Sequence, residues 1–218
     1  MKGTIFTMAA IAAGVCCADV TSANIVGYAN SKTITANTFS LGTTPFAAVG
    51  SDVVKVQDMM TTTGAPSTYM KRNIEAPMLQ VWDGAGYKFY YYLTDAYVEE
   101  TDEEVLGWAN GSGDYTDAEI APGTGYWYKV PTAASGFTLP GQVLGATSVT
   151  KDVFSSKFNL IGNPYPIALD FNKVKTTVPA QAYKDRNTKA LMLQVWDGAG
   201  YKFYYRLSDA YVEETRRE

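Results

Sequence analysis

The sequence predicts an all-β, antiparallel protein, a sandwich or partly open barrel built from two related halves of which the second is incomplete. Three observations lead there. The chain holds 16 tyrosines and 19 glycines but only 18% charged residues, where about a quarter is usual. Aromatic rings suit a pleated, half-buried surface and glycine serves tight turns, so this mix favours strands over helices. Short strand-like runs punctuated by Gly and Pro recur along the chain. Finally, residues 76–101 return as residues 190–215, with 23 of 26 positions identical at a constant offset of 114.

Composition also sets limits. A length of 218 residues fits one large domain or two small ones, enough to bury a core. The net charge of −4 provides no basic footprint for nucleic acid. Histidine is absent, which excludes Ser-His-Asp, Cys-His and His-zinc sites.

Residues 1–23 read as a signal peptide. Lys2 supplies the positive start, and residues 5–15 form an apolar run, far short of the roughly 20 residues that span a bilayer. Small residues place cleavage after Ala18 or after Ala23. Cys16 and Cys17 precede both sites, so the mature chain is expected to carry no thiol, disulfide or thiolate metal site. The rival reading lipidates Cys16 or Cys17, but Ala13-Gly14-Val15 lacks the Leu-small-small lead of such anchors. No later run reaches transmembrane length. The expected destination is the cell surface or the extracellular space, with the periplasm as the other option.

Residues 24–143 make the first unit and residues 144–218 the second, truncated one. Residues 25–28 and 33–41 read as strands, the latter broken by Gly42-Thr43-Thr44-Pro45. Residues 52–60 suit a short helix or an edge strand, and residues 61–67 a loop. The duplicated hairpin MLQVWDGAGYKFYY follows. A three-residue loop Gly84-Ala85-Gly86 would place Leu79 opposite Tyr91 and Val81 opposite Phe89 on one face. Gln80, Trp82, Lys88 and Tyr90 would then share the other, and the Tyr92/Arg206 exchange would fall on that polar face. Residues 94–104 are acidic and residues 110–119 rich in turn formers. Residues 126–130 form a strand entered through a Gly/Pro turn, with residues 137–143 as its expected neighbour. Residues 158–166 read as a strand ending in an Asn-Pro-Tyr-Pro turn.

The repeat extends beyond the hairpin. Tyr69, Arg72, Asn73 and Ala76 recur as Tyr183, Arg186, Asn187 and Ala190, and residues 39–46 are similar to residues 158–165. The counterpart of roughly residues 104–143 is missing from the second unit. The order NLIGNPYP, VWDGAGY, IAPGTGYWY resembles a largely uncharacterised module of secreted and cell-surface proteins of environmental Gram-negative bacteria. There, two such halves often follow an export signal and an opening strand similar to ANIVGY, residues 23–28. The resemblance covers most of the mature chain and implies architecture, with no catalytic residues to carry over.

Candidate chemistry is sparse. Trp82, Tyr90, Trp196 and Tyr204, with Tyr87 and Tyr201 beside them, form a candidate sugar-stacking platform. Cross-strand packing, worth about 0.2–1 kcal/mol per pair, explains the same rings without a ligand. The carboxylates Asp95, Glu99, Glu100, Asp102, Glu103 and Glu104 suit calcium or, more simply, a solvated acidic turn. Asn110, Ser112 and Asp114 begin like a calcium loop, but Tyr115 stands where that loop needs glycine. Asp83 and Asp197 recur, yet Asp before Gly is the default turn residue. Gly84-Ala85-Gly86 is no phosphate loop, because no helix start or Lys-Ser/Thr pair follows. No catalytic residue, metal or cofactor is expected.

These readings point to a non-enzymatic structural, adhesion or assembly module, whose partners are other surface proteins, further copies of itself or a glycan. The incomplete second unit is expected to leave a bare sheet edge. A carbohydrate-binding module using the tryptophan faces is the alternative.

Overall fold

The computed structural model describes residues 26–30, 34–48, 50–59, 64–132, 138–144, 148–154, 158–196 and 199–210, with residues 26–30, 138–140 and 196 as backbone alone. The expected leader and Asp197 lie outside these residues. The chain runs through β1 (Val26–Asn30), β2 (Ser40–Thr43) and the two-residue β3 (Val54–Lys55). A 3-10 turn at Tyr69–Lys71 and the single helical turn α1 (Arg72–Glu75) lead into β4 (Met78–Trp82) and the long β5 (Tyr87–Val98). Then come β6 (Glu103–Ala109), β7 (Glu119–Ile120), β8 (Gly125–Lys129) and β9 (Thr138–Gln142). The second copy of the hairpin closes the series as β10 (Met192–Trp196) and β11 (Tyr201–Tyr205).

The fold is all-β, with antiparallel strand pairs that do not close into a barrel. Its centre is a five-stranded sheet in the order β2-β8-β4-β5-β6. Among the described residues three two-stranded pairs accompany it, β1 with β9, β3 with β7, and β10 with β11. One face of the central sheet carries Leu79, Tyr90, Trp108, Tyr126 and Tyr128. Val54 and Ile120 of the small β3/β7 pair cover that face, together with Val56 and Met59 from the turn after β3. This packing of a small sheet on a larger one is sandwich-like, each strand pointing alternate residues inward. On the opposite face Met78, Tyr91, Leu93, Ala96 and Ala109 pack with Ala76 and Tyr69 of the segment before β4. A sheet covered on both faces reads as near-continuous apolar sequence instead of clean alternation.

That double cover explains where the expected hairpin register fails. Leu79 pairs with Tyr90 and Val81 with Lys88, one residue away from the expectation. The loop holds four residues, 83–86, because Asp83 belongs to it. The Ala85 and Gly86 amides donate to Asp83 Oδ1 at 2.9 Å each, and the Asp83 amide donates to the Gly86 carbonyl at 3.1 Å. An aspartate that ties down its own turn ends the strand before it. The second hairpin keeps this register, with Leu193 opposite Tyr204 and Val195 opposite Lys202. Tyr92 therefore lies on the core face, its ring 5.5 Å from that of Trp108.

Other expectations shift for physical reasons. Within residues 33–41 the extended run is interrupted at Asn37, whose φ of 57° is the left-handed value asparagine tolerates. The strand resumes at Ser40 and passes through Gly42, where a Cβ would lie 2.4 Å from the Tyr126 ring. Glycine is required there because the buried tyrosine lies against its pairing partner. Residues 52–60 contain both alternatives in sequence, β3 and then the 3-10 turn Val56–Asp58. β9 pairs with β1 instead of β8, since β2 and β4 occupy both edges of β8. Of residues 158–166 only Ile161 makes a bridge, to Thr124. Pro164 and Pro166 lack the amides a strand needs, and the Tyr165 amide turns back to Asn163 Oδ1.

Candidate functional site

The first candidate lies at the turn end of the first hairpin. Trp82 ends β4, with Tyr87 across from it and the two rings edge-on at 5.1 Å and 64°. Its indole Nε1 is shielded from solvent and, among the described residues, has no hydrogen-bond partner. An open groove of about 640 Å³ runs past it, lined by Asp52, Trp82, Asp83, Pro122, Lys151 and Phe154 among others. Phe154 lies across Gly84 so closely that a Cβ there would sit 1.9 Å from the ring. Lys151 Nζ donates to Thr124 Oγ1 at 2.8 Å. Sequence reading singled out Trp82 and Asp83 and missed the rest. Asp52, Lys151 and Phe154 come from distant loops that carry no motif.

The Asp83 carboxyl titrates below its ordinary value, chiefly because the Gly86 and Ala85 amides donate to it, with Lys88 adding attraction at 3.8 Å. A folded-state value below the unfolded one means that its stabilisation is whole above the ordinary value of 3.8 and is lost as pH falls through the folded value. NMR titration is therefore expected to place the Asp83 carboxyl below free aspartate. In Asp83→Asn the acid-side loosening of this hairpin should disappear, read as amide exchange of Ala85 and Gly86 across about pH 2–5.

The structure separates the expected stacking residues. Tyr90 is 8% exposed and faces the core beside Leu79, while Trp82 lies on the other side of the sheet. Burial and the nearby Asp83 raise the Tyr90 phenol above its usual range. Trp82 and Tyr90 thus do not form one platform, because the register turns successive residues to opposite faces. The second copy has the same parity: Trp196 pairs with Tyr201, and Tyr204 with Leu193. The Trp196 side chain lies outside the described residues. Tyr204 is 44% exposed and has Phe171 at 5.0 Å. Sequence reading also missed a part-exposed strip across four neighbouring strands, in which the apolar Leu41, Trp127 and Phe89 stand in line with Gln80.

The acidic stretch does structural work. Asp95 Oδ1 accepts from the Tyr69 amide at 2.7 Å, and the Arg72 guanidinium stacks 3.8 Å above the Tyr69 ring. The second copy has the same arrangement, Tyr183 donating to Asp209 at 2.8 Å and Arg186 lying 4.0 Å above Tyr183. Asn110 Oδ1 accepts from the Ser112 and Asp114 amides and so closes its own turn. Among the described residues, no three acidic, histidine or cysteine side chains gather to hold a metal ion.

The second candidate is the duplicated hairpin itself. Residues 78–91 and 192–205 are identical, and their surroundings differ. β4 is flanked by β8 and β5, and β5 pairs further with β6. β10 and β11 have only each other among the described residues. The difference shows in exposure: Tyr90 is 8% exposed and its copy Tyr204 is 44%. Part of the face is covered, since Arg206, standing where the first copy has Tyr92, donates to the carbonyls of Thr176 and Val178. The outer edge of β10 has no strand beside it among the described residues. No family model, curated protein or solved structure matches the chain.

Proposed function

We propose that the protein is a non-enzymatic structural module of the cell surface or extracellular space that works by assembly. One observation carries this reading. The same fourteen-residue sequence lies inside a five-stranded sheet in one copy, while in the other its two strands pair only with each other among the described residues. A lone hairpin is marginal in water, and an unpaired edge is a template for another strand. The signal-like first segment and the resemblance to exported two-half modules agree with this role, as does the absence of histidine.

In sedimentation velocity the purified protein is expected to associate as its concentration rises. Association should slow amide exchange in β10, while β4 exchanges slowly throughout. The two copies are told apart by peptides that start at Pro77 or Leu191, which differ in mass. A monomer whose β10 amides exchange fast at every concentration, and on envelopes of the producing cell too, removes the reading.

The Trp82 groove supports a second reading as a carbohydrate-binding module, with an indole beside the carboxylates of Asp52 and Asp83. Binding on a glycan array that is lost in Trp82→Ala would select it, and no binding to any polysaccharide removes it.

A further inference from the structure

We propose that the open edge of β10 pairs antiparallel with the β10 edge of a second copy, about a two-fold axis passing at Gln194. The proposal rests on the assembly reading and names the surface and the partner.

The first copy of the hairpin shows what this edge accepts. In β4 the same residues are paired by β8, with Met78 opposite Lys129, Leu79 opposite Tyr128, Gln80 opposite Trp127 and Val81 opposite Tyr126. The MLQVW backbone therefore takes an antiparallel neighbour on the side where β10 has none among the described residues. One edge of the five-stranded sheet, by contrast, is defended. β6 carries Glu103 and Glu104, and Tyr115 bridges its end at Ala109. Charge and cover are the usual protections of an edge strand. β10 has neither a charged residue nor a proline.

A second copy suits this edge because the strand is complementary to itself. Antiparallel pairing centred on Gln194 sets Leu193 against Val195 and Met192 against Trp196, and it sets Gln194 against its own copy. Opposite residues then share a face, apolar pairs meet on both faces, and no like charges oppose each other. The central glutamine amides can donate to and accept from one another. A two-fold axis generates this arrangement, since an isologous contact pairs each residue i with j and each j with i. The product, β11-β10-β10-β11, has four strands and passes the three-strand threshold below which hairpins are marginal.

The test uses Gln194→Glu and Gln194→Lys, which place like charges directly across the axis. Each variant alone is expected to dissociate at least about tenfold more readily than the wild type, with an unchanged circular dichroism spectrum. An equimolar mixture of the two should restore a mixed dimer, seen by native mass spectrometry. Three results overturn the proposal. The variants associate as the wild type does, which leaves assembly through another surface; the mixture fails to pair; or the protein stays monomeric yet binds the synthetic peptide GTGYWYKV at β10, so that the edge takes a foreign strand.

Discussion

Replacing Trp108 with alanine is expected to cost about 3–5 kcal/mol of unfolding free energy, the range for deleting a fully buried aromatic side chain. Trp108 has no exposed surface, and its indole Nε1 donates to the Met59 carbonyl at 2.8 Å. Its backbone is held as firmly: the amide donates to Gln57 Oε1 at 3.0 Å, and Gln57 Nε2 donates to the Trp108 carbonyl at 2.8 Å and that of Thr116 at 2.7 Å. The ring therefore joins β6 to the segment after β3, the lid over the core face of the central sheet. Alanine removes the ring and orphans the Met59 carbonyl, while Trp108→Phe keeps most of the volume and loses chiefly the hydrogen bond, about 1–3 kcal/mol. Urea unfolding followed by circular dichroism reads both values. A loss under about 1 kcal/mol in Trp108→Ala would mean that this core is not what holds the sheet.

Leucine to alanine at the two equivalent hairpin positions should give unequal results. Leu79→Ala is expected to cost about 2–5 kcal/mol, because Leu79 has no exposed surface and lies between Tyr90 and Tyr128 on the core face. Leu193→Ala should cost under about 1 kcal/mol in the isolated chain, since Leu193 is only partly buried and, among the described residues, has one cross-strand neighbour, Tyr204. The measurement is again chemical denaturation, at a concentration low enough to keep the chain monomeric. Equal losses in the two variants would show that the second hairpin is buried as deeply as the first.

Much of the architecture was legible in residue order. Tyrosine and glycine content pointed to strands and turns, and the hairpins formed where the duplicated segment stands. Tyr126 and Tyr128 lie in the strand expected for them. Register was not legible. The expected three-residue loop assumed one wet face, whereas Met78, Tyr91 and Leu93 are buried on the side opposite Leu79 and Tyr90. With the second face covered in part as well, alternation no longer distinguishes one register from the next, and the Asp83 turn decides it. The grouping of Trp82 with Tyr90 failed with that register. The groove beside Trp82 was illegible for another reason: Asp52, Lys151 and Phe154 meet it only through the fold.

The duplicated hairpin separates the two kinds of information. Its residue order alone determined what the copies share: the strand pair, its register and the Tyr-Arg-Asp brace that ties the segment before the hairpin to the one after it. Only the tertiary structure decided that one copy is a sheet interior and the other an open edge. Hydrogen bonds within a turn depend on residues a few positions apart, whereas burial depends on which distant strands arrive alongside. β8 arrives beside β4, and among the described residues no strand arrives beside β10.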